Sequence, residues 1–237
     1  MKKLIAIPLL CGLLTGCDKA AEQQKQFEAA SEAALSAPDP FEELDKFSEQ
    51  VSDYASGCYD PSDYGGDQYS PKEACNRRLN VETKMVIASV NKGSVPALLF
   101  LMDQGPKNPP VYLRNLQADY AKSQIANFIE LARAAKPVKD NTKLINRAAE
   151  VLQRGNLVTQ DSGAAIALYK KAWLAGDDNA ASRISDIYEF LGDTPRAYFW
   201  RIRAHSLPEG TANLKKLTSE DKLEIQRKAA DLARLDI

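Results

Sequence analysis

The chain has 237 residues, of which 44% are hydrophobic and 27% are charged, so it can form one domain or two small ones around a real core. Its mean hydropathy of −0.38 is typical of a soluble protein. The basic residues form no dense run with interleaved aromatic side chains, and this argues against a nucleic-acid partner. We therefore expect the partner or substrate of the protein to be something other than nucleic acid.

The first seventeen residues, MKKLIAIPLLCGLLTGC, differ sharply from this average. Lys2 and Lys3 precede an apolar run that ends at Leu14, which is the pattern of an export signal, and the run is too short to cross a bilayer as a permanent helix. The ending Leu14-Thr15-Gly16-Cys17 resembles the lipobox of bacterial lipoproteins. That resemblance implies a signal peptide over residues 1–17 and a lipidated, palmitate-bearing Cys17. The alternative is an ordinary signal peptide with an incidental cysteine.

Asp18 follows the predicted lipidation site directly. In enterobacterial lipoproteins an aspartate at this position favours retention in the inner membrane. The resemblance therefore implies a periplasmic protein that touches the membrane only through its N-terminal lipid, with the inner membrane preferred over the outer one.

Residues 18–40 are rich in Ala, Gln and Glu and end in a Pro-Asp-Pro breaker. This composition predicts a partly helical tether. Everything after it is predicted to be helical, because apolar residues recur at helical spacing and no segment alternates like a strand. Helix starts are expected at Asp39-Pro40 and at Ser70-Pro71, each a capping residue followed by proline and then an acid. Residues 41–137 are assigned to an N-terminal helical region.

The second half, residues 138–237, contains an internal repeat with a constant offset of 32 residues. This offset predicts a helical hairpin that buries its apolar face only by stacking on its neighbours. The matched positions are Ala148 and Ala180, Leu152 and Ile184, Ala165 and Ala197, Leu168 and Trp200, and the pairs Lys171-Ala172 and Arg203-Ala204.

This pattern resembles the Sel-one-like repeat, a relative of the tetratricopeptide repeat, over roughly residues 141–210. The residues that carry the likeness in the first copy are Ala148, Leu152, Gly155, Asp161, Ala165, Leu168, Tyr169, Lys171, Ala172 and Gly176. The resemblance implies an all-α fold, an α-solenoid of helical hairpins. A last helix, capped at Thr218-Ser219-Glu220-Asp221, is expected to cover the end of the stack with Ile225, Ala229 and Leu232 facing inward.

Two further cysteines, Cys58 and Cys75, enclose the loop CYDPSDYGGDQYSPKEAC. Calcium binding through Asp60, Asp63 and Asp67 is possible in principle, but their spacing does not match a helix-loop-helix calcium site. Zinc would need more ligands than two cysteines. In an exported protein the simplest prediction is a Cys58–Cys75 disulfide and no metal.

Tyrosines recur every five residues in this region, at Tyr54, Tyr59, Tyr64 and Tyr69. This spacing fits neither helix nor strand. On a crosslinked loop, Tyr59, Tyr64 and Tyr69 are candidates for binding a protein partner. An equally good interpretation is that they cover the helices beneath them.

Catalysis has little support in the sequence. His205 is the only histidine, and it follows a predicted repeat helix, where a structural role is the simpler interpretation. The chain has no Gly-rich phosphate loop, no zinc-type cysteine spacing and no nucleophile-elbow motif. We therefore expect neither enzymatic activity nor a cofactor.

A lipobox followed by Sel-one-like repeats is found in immunity proteins that block antibacterial effectors, notably phospholipases, delivered into the periplasm by type VI secretion. That resemblance implies a non-enzymatic lipoprotein that binds a protein partner, such as a secreted lipase effector. The alternative is a scaffold or adaptor lipoprotein of an envelope or conjugation apparatus.

Overall fold

A computed structural model describes residues 14–56, 58, 72–102, 118–155, 158–205 and 216–237. The described residues form ten α-helices and no strands, so the expected all-α fold is confirmed. The chain divides into two compact units, Met1–Leu116 and Gln117–Ile237. Each unit has its own buried residues.

Unit 1 contains α1 (Leu14–Ser36), α2 (Leu44–Gln50), α3 (Lys72–Asn91) and α4 (Val95–Met102). The predicted start at Asp39-Pro40 is present, as a 3-10 turn that runs into α2, and the Asp39 side chain accepts a hydrogen bond from the backbone N–H of Phe41 at 3.1 Å. Proline fits the first helical position because its missing N–H needs no partner there.

Helix α1 packs on the rest of unit 1 instead of forming the predicted tether over residues 18–40. Phe27 and Ala34 are buried in one cluster with Phe47, Val51 and Met85. The ring of Phe27 stacks on that of Tyr54, with centroids 4.3 Å apart. Apolar residues seven apart lie on one face of a helix, and this face gives residues 18–36 a place in the core.

Helices α1 and α3 run parallel, as hydrogen bonds at two points along them show. Near the middle of α1, Gln24 Oε1 accepts a hydrogen bond at 3.2 Å from the guanidinium of Arg77, in the second turn of α3. Near their last turns, Lys92 Nζ donates to the carbonyl oxygens of Ala37 and Pro38 at 3.1 and 3.0 Å. The two helices therefore point in the same direction.

A buried ion pair lies on α3 beneath the end of α2. Arg78 Nε donates to Glu82 Oε1 at 2.9 Å, and both side chains are almost fully buried. The same carboxylate oxygen accepts a hydrogen bond from Ser48 at 2.9 Å, while the Arg78 guanidinium donates to the carbonyl oxygen of Ala55 at 2.5 Å. These bonds satisfy charges that would be costly to bury alone, and they tie α2 and the chain before Cys58 to α3.

Unit 2 contains α5 (Ala118–Ala134), α6 (Thr142–Arg154), α7 (Ser162–Leu174), α8 (Asn179–Phe190), α9 (Thr194–Arg203) and α10 (Ser219–Ala230). Each helix packs on the next in chain order. The hairpins α6–α7 and α8–α9 thus stack as in a helical repeat. Helix α5 packs on α6, so unit 2 begins earlier than the predicted boundary between residues 137 and 138.

The two hairpins follow the predicted offset only in their second helices. Asp161 and Asp193, 32 residues apart, both cap their helices by accepting a backbone N–H bond, from Ala164 and Arg196. In the first helices the buried positions coincide instead at an offset of 36 residues. They are Leu144, Ile145, Ala148, Ala149, Val151 and Leu152 in α6, and Ala180, Ala181, Ile184, Ser185, Ile187 and Tyr188 in α8.

The predicted equivalence of Ala148 with Ala180 is therefore wrong, and Ala148 corresponds to Ile184. The cause is the connection between the helices. Shortly after each first helix comes a glycine with positive φ, Gly155 and Gly192. Five residues separate Gly155 from its capping aspartate, Asp161, whereas Gly192 directly precedes Asp193.

The matched cations Lys171 and Arg203 perform the same task at two places in unit 2. Lys171 Nζ donates to the carbonyl oxygens of Ala132 and Arg133 in the last turn of α5, at 3.1 and 2.6 Å. Arg203 donates to the carbonyl oxygens of Ala229 and Asp231 at the end of α10. A cation at a helix C-terminus satisfies carbonyl groups that have no partner within the helix.

Arg203 is itself buried, at 3% exposure, among aromatic rings. Its guanidinium carbon lies 4.3 Å from the centroid of Phe199, 5.1 Å from that of Trp200 and 5.7 Å from that of Trp173. Burial lowers the pKa of the Arg203 guanidinium, and the ring faces offset part of the lost hydration.

Helix α10 begins at the predicted capping box, in which Thr218 and Asp221 exchange side-chain and backbone hydrogen bonds. Ile225 and Ala229 are buried as expected. The helix ends at Ala230, so Leu232 does not continue its inward face, and the expectation that Leu232 faces inward is wrong: it is 63% exposed.

Candidate binding groove

A groove of about 560 Å³ runs along the first helices of the two hairpins in unit 2. Helix α6 and the turn before it supply one wall, and α8 with the turn before it supplies the other. The lining residues are Lys139, Thr142, Lys143, Asn146, Glu150, Tyr169, Gly176, Asp177, Asn179, Ser182 and Arg183. Almost all of them carry a polar group, so the groove offers hydrogen bonds and charge more than apolar contact.

The groove wall is held in shape by hydrogen bonds between side chains of its two sides. Asn146 Nδ2 on α6 donates to Asp177 Oδ2 at 2.5 Å, and Asp177 Oδ1 accepts the backbone N–H of Asn179 at 3.1 Å. The Asn146 Oδ1 atom is buried and accepts no hydrogen bond. Buried polar atoms are normally paired, so Asn146 Oδ1 is an exception that lies beneath the surface of the groove.

Glu150 is neutralised by two arginines, one from each hairpin. Its carboxylate oxygens lie 2.7 Å from the Arg147 guanidinium and 3.2 Å from that of Arg183. Lys139 and Lys143, two further cations of the lining, are exposed at its rim. Counted over all lining residues, three cations face two carboxylates, so the groove is slightly basic.

Tyr169 on α7 lies beneath the groove and is 1% exposed. Its hydroxyl donates to Gln153 Oε1 at 2.9 Å. Burial raises the pKa of Tyr169 to about 12. The phenol therefore stays neutral and serves as a fixed floor.

The predicted disulfide is present: Cys58 and Cys75 are joined, with Cα atoms 5.2 Å apart and both residues fully buried. They pack with Ala55 and Leu79, under Tyr54. The bond therefore fixes the chain after α2 to the first turn of α3, as the sequence indicated.

Some of the other predicted site residues lie within the described part of the chain and others lie outside it. Cys17 and Asp18 lie in the first turns of the helix that begins at Leu14. Asp60, Asp63 and Asp67, which were weighed as calcium ligands and disfavoured, lie outside the described residues. The three candidate binding tyrosines, Tyr59, Tyr64 and Tyr69, also lie outside them. The fourth tyrosine of that series, Tyr54, points inward: it stacks on Phe27, and its hydroxyl donates to Gln24 Oε1 at 3.0 Å.

His205 follows α9 in the left-handed conformation, with φ of 49°, and its side chain is exposed. Its backbone N–H donates to the carbonyl oxygen of Ile202 at 3.1 Å. His205 does not line the groove. Within the described ranges, no group of three or more His, Cys, Asp or Glu side chains is placed to hold a metal ion.

Comparisons with known proteins identify no relative: no family model, no curated protein and no solved structure matches the chain. Among the described helices, none has both the length and the apolar character required to cross a membrane. The function of the chain is therefore inferred from its own residues.

Sequence reasoning missed the groove, although a signal for it exists. Lys139, Lys143, Asn146 and Glu150 follow each other at spacings of four, three and four residues, which places them on one face of a helix. Polar stripes of this kind are usually solvated surfaces. This one becomes a wall only because α8 packs where a second polar stripe faces it, and that packing is not visible in either helix alone.

Proposed function

We propose that the protein is a non-enzymatic, periplasmic lipoprotein, lipidated at Cys17, that neutralises an antibacterial effector by binding it. The effector class favoured by the lipobox and the repeat pattern together is a secreted phospholipase. The observation that carries the binding role is the groove on unit 2: a preformed concavity between two helical hairpins, lined by hydrogen-bonding side chains. Stacked helical repeats commonly use such concave faces to bind other proteins.

Two surfaces are candidates for contact with the effector. One is the groove, with Asn146 and the rim lysines Lys139 and Lys143. The other is the disulfide-closed loop with Tyr59, Tyr64 and Tyr69. Tyrosines supply large contact area at low conformational cost, whereas the groove supplies charge and directed hydrogen bonds.

The proposal is tested in the producing bacterium. A strain that lacks this gene should be killed by sibling cells with an active type VI secretion system, and the wild-type gene should restore survival. A Cys17→Ser gene should restore less survival, because the protein then loses its lipid. If the deletion strain instead survives the siblings and shows an envelope defect in pure culture, immunity is excluded and a scaffold role is favoured.

The binding surface is identified by co-purification of the effector with variants of the protein. Lys139→Glu together with Lys143→Glu should reduce effector recovery if the groove is used. Arg227→Glu on α10 is the matched control, because it reverses an exposed cation that does not line the groove. Replacing Tyr59, Tyr64 and Tyr69 by Ser tests the loop in the same assay, and recovery unchanged in both sets would exclude both surfaces.

A further inference from the structure

The proposed lipid anchor lies very close in sequence to the first residues that pack on unit 1. Gln23, six residues after Cys17, donates its side-chain N–H to the carbonyl oxygen of Asp53 at 3.2 Å. Gln24 accepts hydrogen bonds from Tyr54 and Arg77. From this point α1 is part of the folded unit.

The length of the connection follows from backbone geometry. As helix, six residues rise about 9 Å, and even fully extended they reach only about 20 Å. A tether over residues 18–40 would instead reach about 75 Å. This short connection would therefore keep unit 1 next to the membrane surface into which the lipid is inserted.

We propose that the end of unit 1 next to Gln23 and Gln24 lies against the phospholipid headgroups. This proposal rests on lipidation at Cys17. We name this end the headgroup face and define it by its exposed residues Lys19, Asp53, Glu73 and Arg77. The disulfide joins the chain at the same end, so the loop between Cys58 and Cys75 starts and finishes near the membrane surface.

The chemistry of the headgroup face fits zwitterionic lipids. It carries two cations and two carboxylates, and Arg77 pairs with Glu73 at 2.8 Å. The ammonium and phosphate groups of phosphatidylethanolamine can pair with both signs of charge on this face. The face has no exposed large apolar side chain among the described residues. It orients a protein held by lipid and does not bind membranes by itself.

For the proposed function this placement has a direct consequence. A phospholipase must reach the headgroup layer to act, and the loop with the candidate tyrosines is anchored to the fold next to that layer. The protein would then meet its effector at the bilayer surface instead of in the open periplasm.

The test measures distance to the bilayer in the lipidated, full-length mature protein. A fluorescent donor is attached through an encoded non-natural amino acid at Asp53, and in a second sample at Asn91. The protein is reconstituted in vesicles of phosphatidylethanolamine and phosphatidylglycerol with a headgroup-linked acceptor. Asp53 and Arg77 both belong to the headgroup face, and Asn91 lies about 21 Å further along α3 than Arg77. Energy transfer from position 53 should therefore exceed that from position 91 by about twofold or more.

A spacer variant supplies the matched control. About 20 Gly and Ser residues inserted after Asp18 add a mean reach of about 25 Å, so transfer from position 53 should fall while the protein stays in the membrane fraction. Equal transfer from positions 53 and 91, or transfer unaffected by the spacer, overturns the placement.

Incorporation of labelled palmitate separates this proposal from the one on which it rests. If Cys17 takes up palmitate and the distances disagree, only the headgroup face is wrong. If Cys17 takes up no palmitate, the lipoprotein proposal and the headgroup face both fail.

Discussion

At the scale of single residues, the buried ion pair of α3 is the most sensitive point in unit 1. In Glu82→Ala the Arg78 guanidinium stays buried without its carboxylate. Removing one partner of a buried pair costs about 3–5 kcal/mol. We expect the free energy of unfolding to fall by this amount, as measured by urea denaturation with the disulfide intact.

The control for this prediction replaces both partners with apolar residues of similar size, Arg78→Met with Glu82→Leu. Neither charge of the pair is then buried, so the double variant should be more stable than Glu82→Ala. If the double variant is less stable than Glu82→Ala, the loss of stability comes from losing the pair itself and not from leaving Arg78 buried without the Glu82 carboxylate.

Tyr169 gives unit 2 a sensitivity to alkaline pH. Burial raises its pKa to about 12 in the folded protein, compared with about 10 in an unfolded chain. The contribution to stability is therefore complete below about pH 10 and is lost as the pH rises toward about 12. Tyr169→Phe removes this dependence, so the free energy of unfolding of the variant should fall less between about pH 9 and about pH 11 than that of the wild type. An equal fall in the free energy of unfolding of the two proteins would contradict a role for Tyr169 in the pH dependence.

Residue-scale prediction from the sequence succeeded where the chemistry leaves few choices. The Cys58–Cys75 bond was predicted because these are the only two cysteines outside the predicted signal peptide and lipidation site. The Arg78–Glu82 pair was missed, because a charged pair four residues apart usually lies on a solvated face. The available signal was its position on the same helical stripe as Cys75 and Leu79.

At the scale of elements, the two connecting glycines of unit 2 provide a matched pair. Both have positive φ, 71° for Gly155 and 75° for Gly192, and alanine in this region costs about 1–2 kcal/mol. A Cβ at Gly155 would also lie 3.1 Å from Gln160 Cβ and from its backbone nitrogen, whereas a Cβ at Gly192 meets nothing within 4 Å. Gly155→Ala should therefore lower the melting temperature more than Gly192→Ala does. If Gly192→Ala lowered the melting temperature more than Gly155→Ala, the loop after α6 would be able to shift and accommodate the added Cβ at little cost.

The same loop explains why the sequence repeat was only half right at this scale. The offset of 32 residues holds between the caps Asp161 and Asp193 and between the cations Lys171 and Arg203, because each pair performs one task in two places. The first helices are displaced from this offset, because the connection after Gly155 is longer than the one after Gly192. Small apolar residues such as Ala148 and Ala180 match at several registers, so the sequence could not detect the shift.

At the scale of the whole molecule, apolar periodicity and the internal repeat predicted an all-α chain with stacked hairpins, whereas composition misassigned the segment nearest the proposed anchor. A run rich in Ala, Gln and Glu resembles a spacer because few of its residues are apolar. Phe27 and Ala34, spaced seven apart, are enough to bury it once α2 and α3 offer a matching surface. Two apolar residues are enough to pack this segment into the core of unit 1, and their contact partners lie elsewhere in the chain, where the composition of the segment does not reveal them.

Asp18 bears on the membrane in which the proposed lipoprotein resides. If Asp18 retains the protein in the inner membrane, Asp18→Ser should move it to the outer-membrane fraction on a sucrose gradient, without changing palmitate incorporation at Cys17. Asp18 lies five residues before the first docked side chain, Gln23, so the substitution should leave the melting temperature unchanged. The matched control is Glu22→Ser, which replaces an exposed acid on the same helix and should leave the protein in the inner membrane. An unchanged distribution for Asp18→Ser would show that another feature directs sorting.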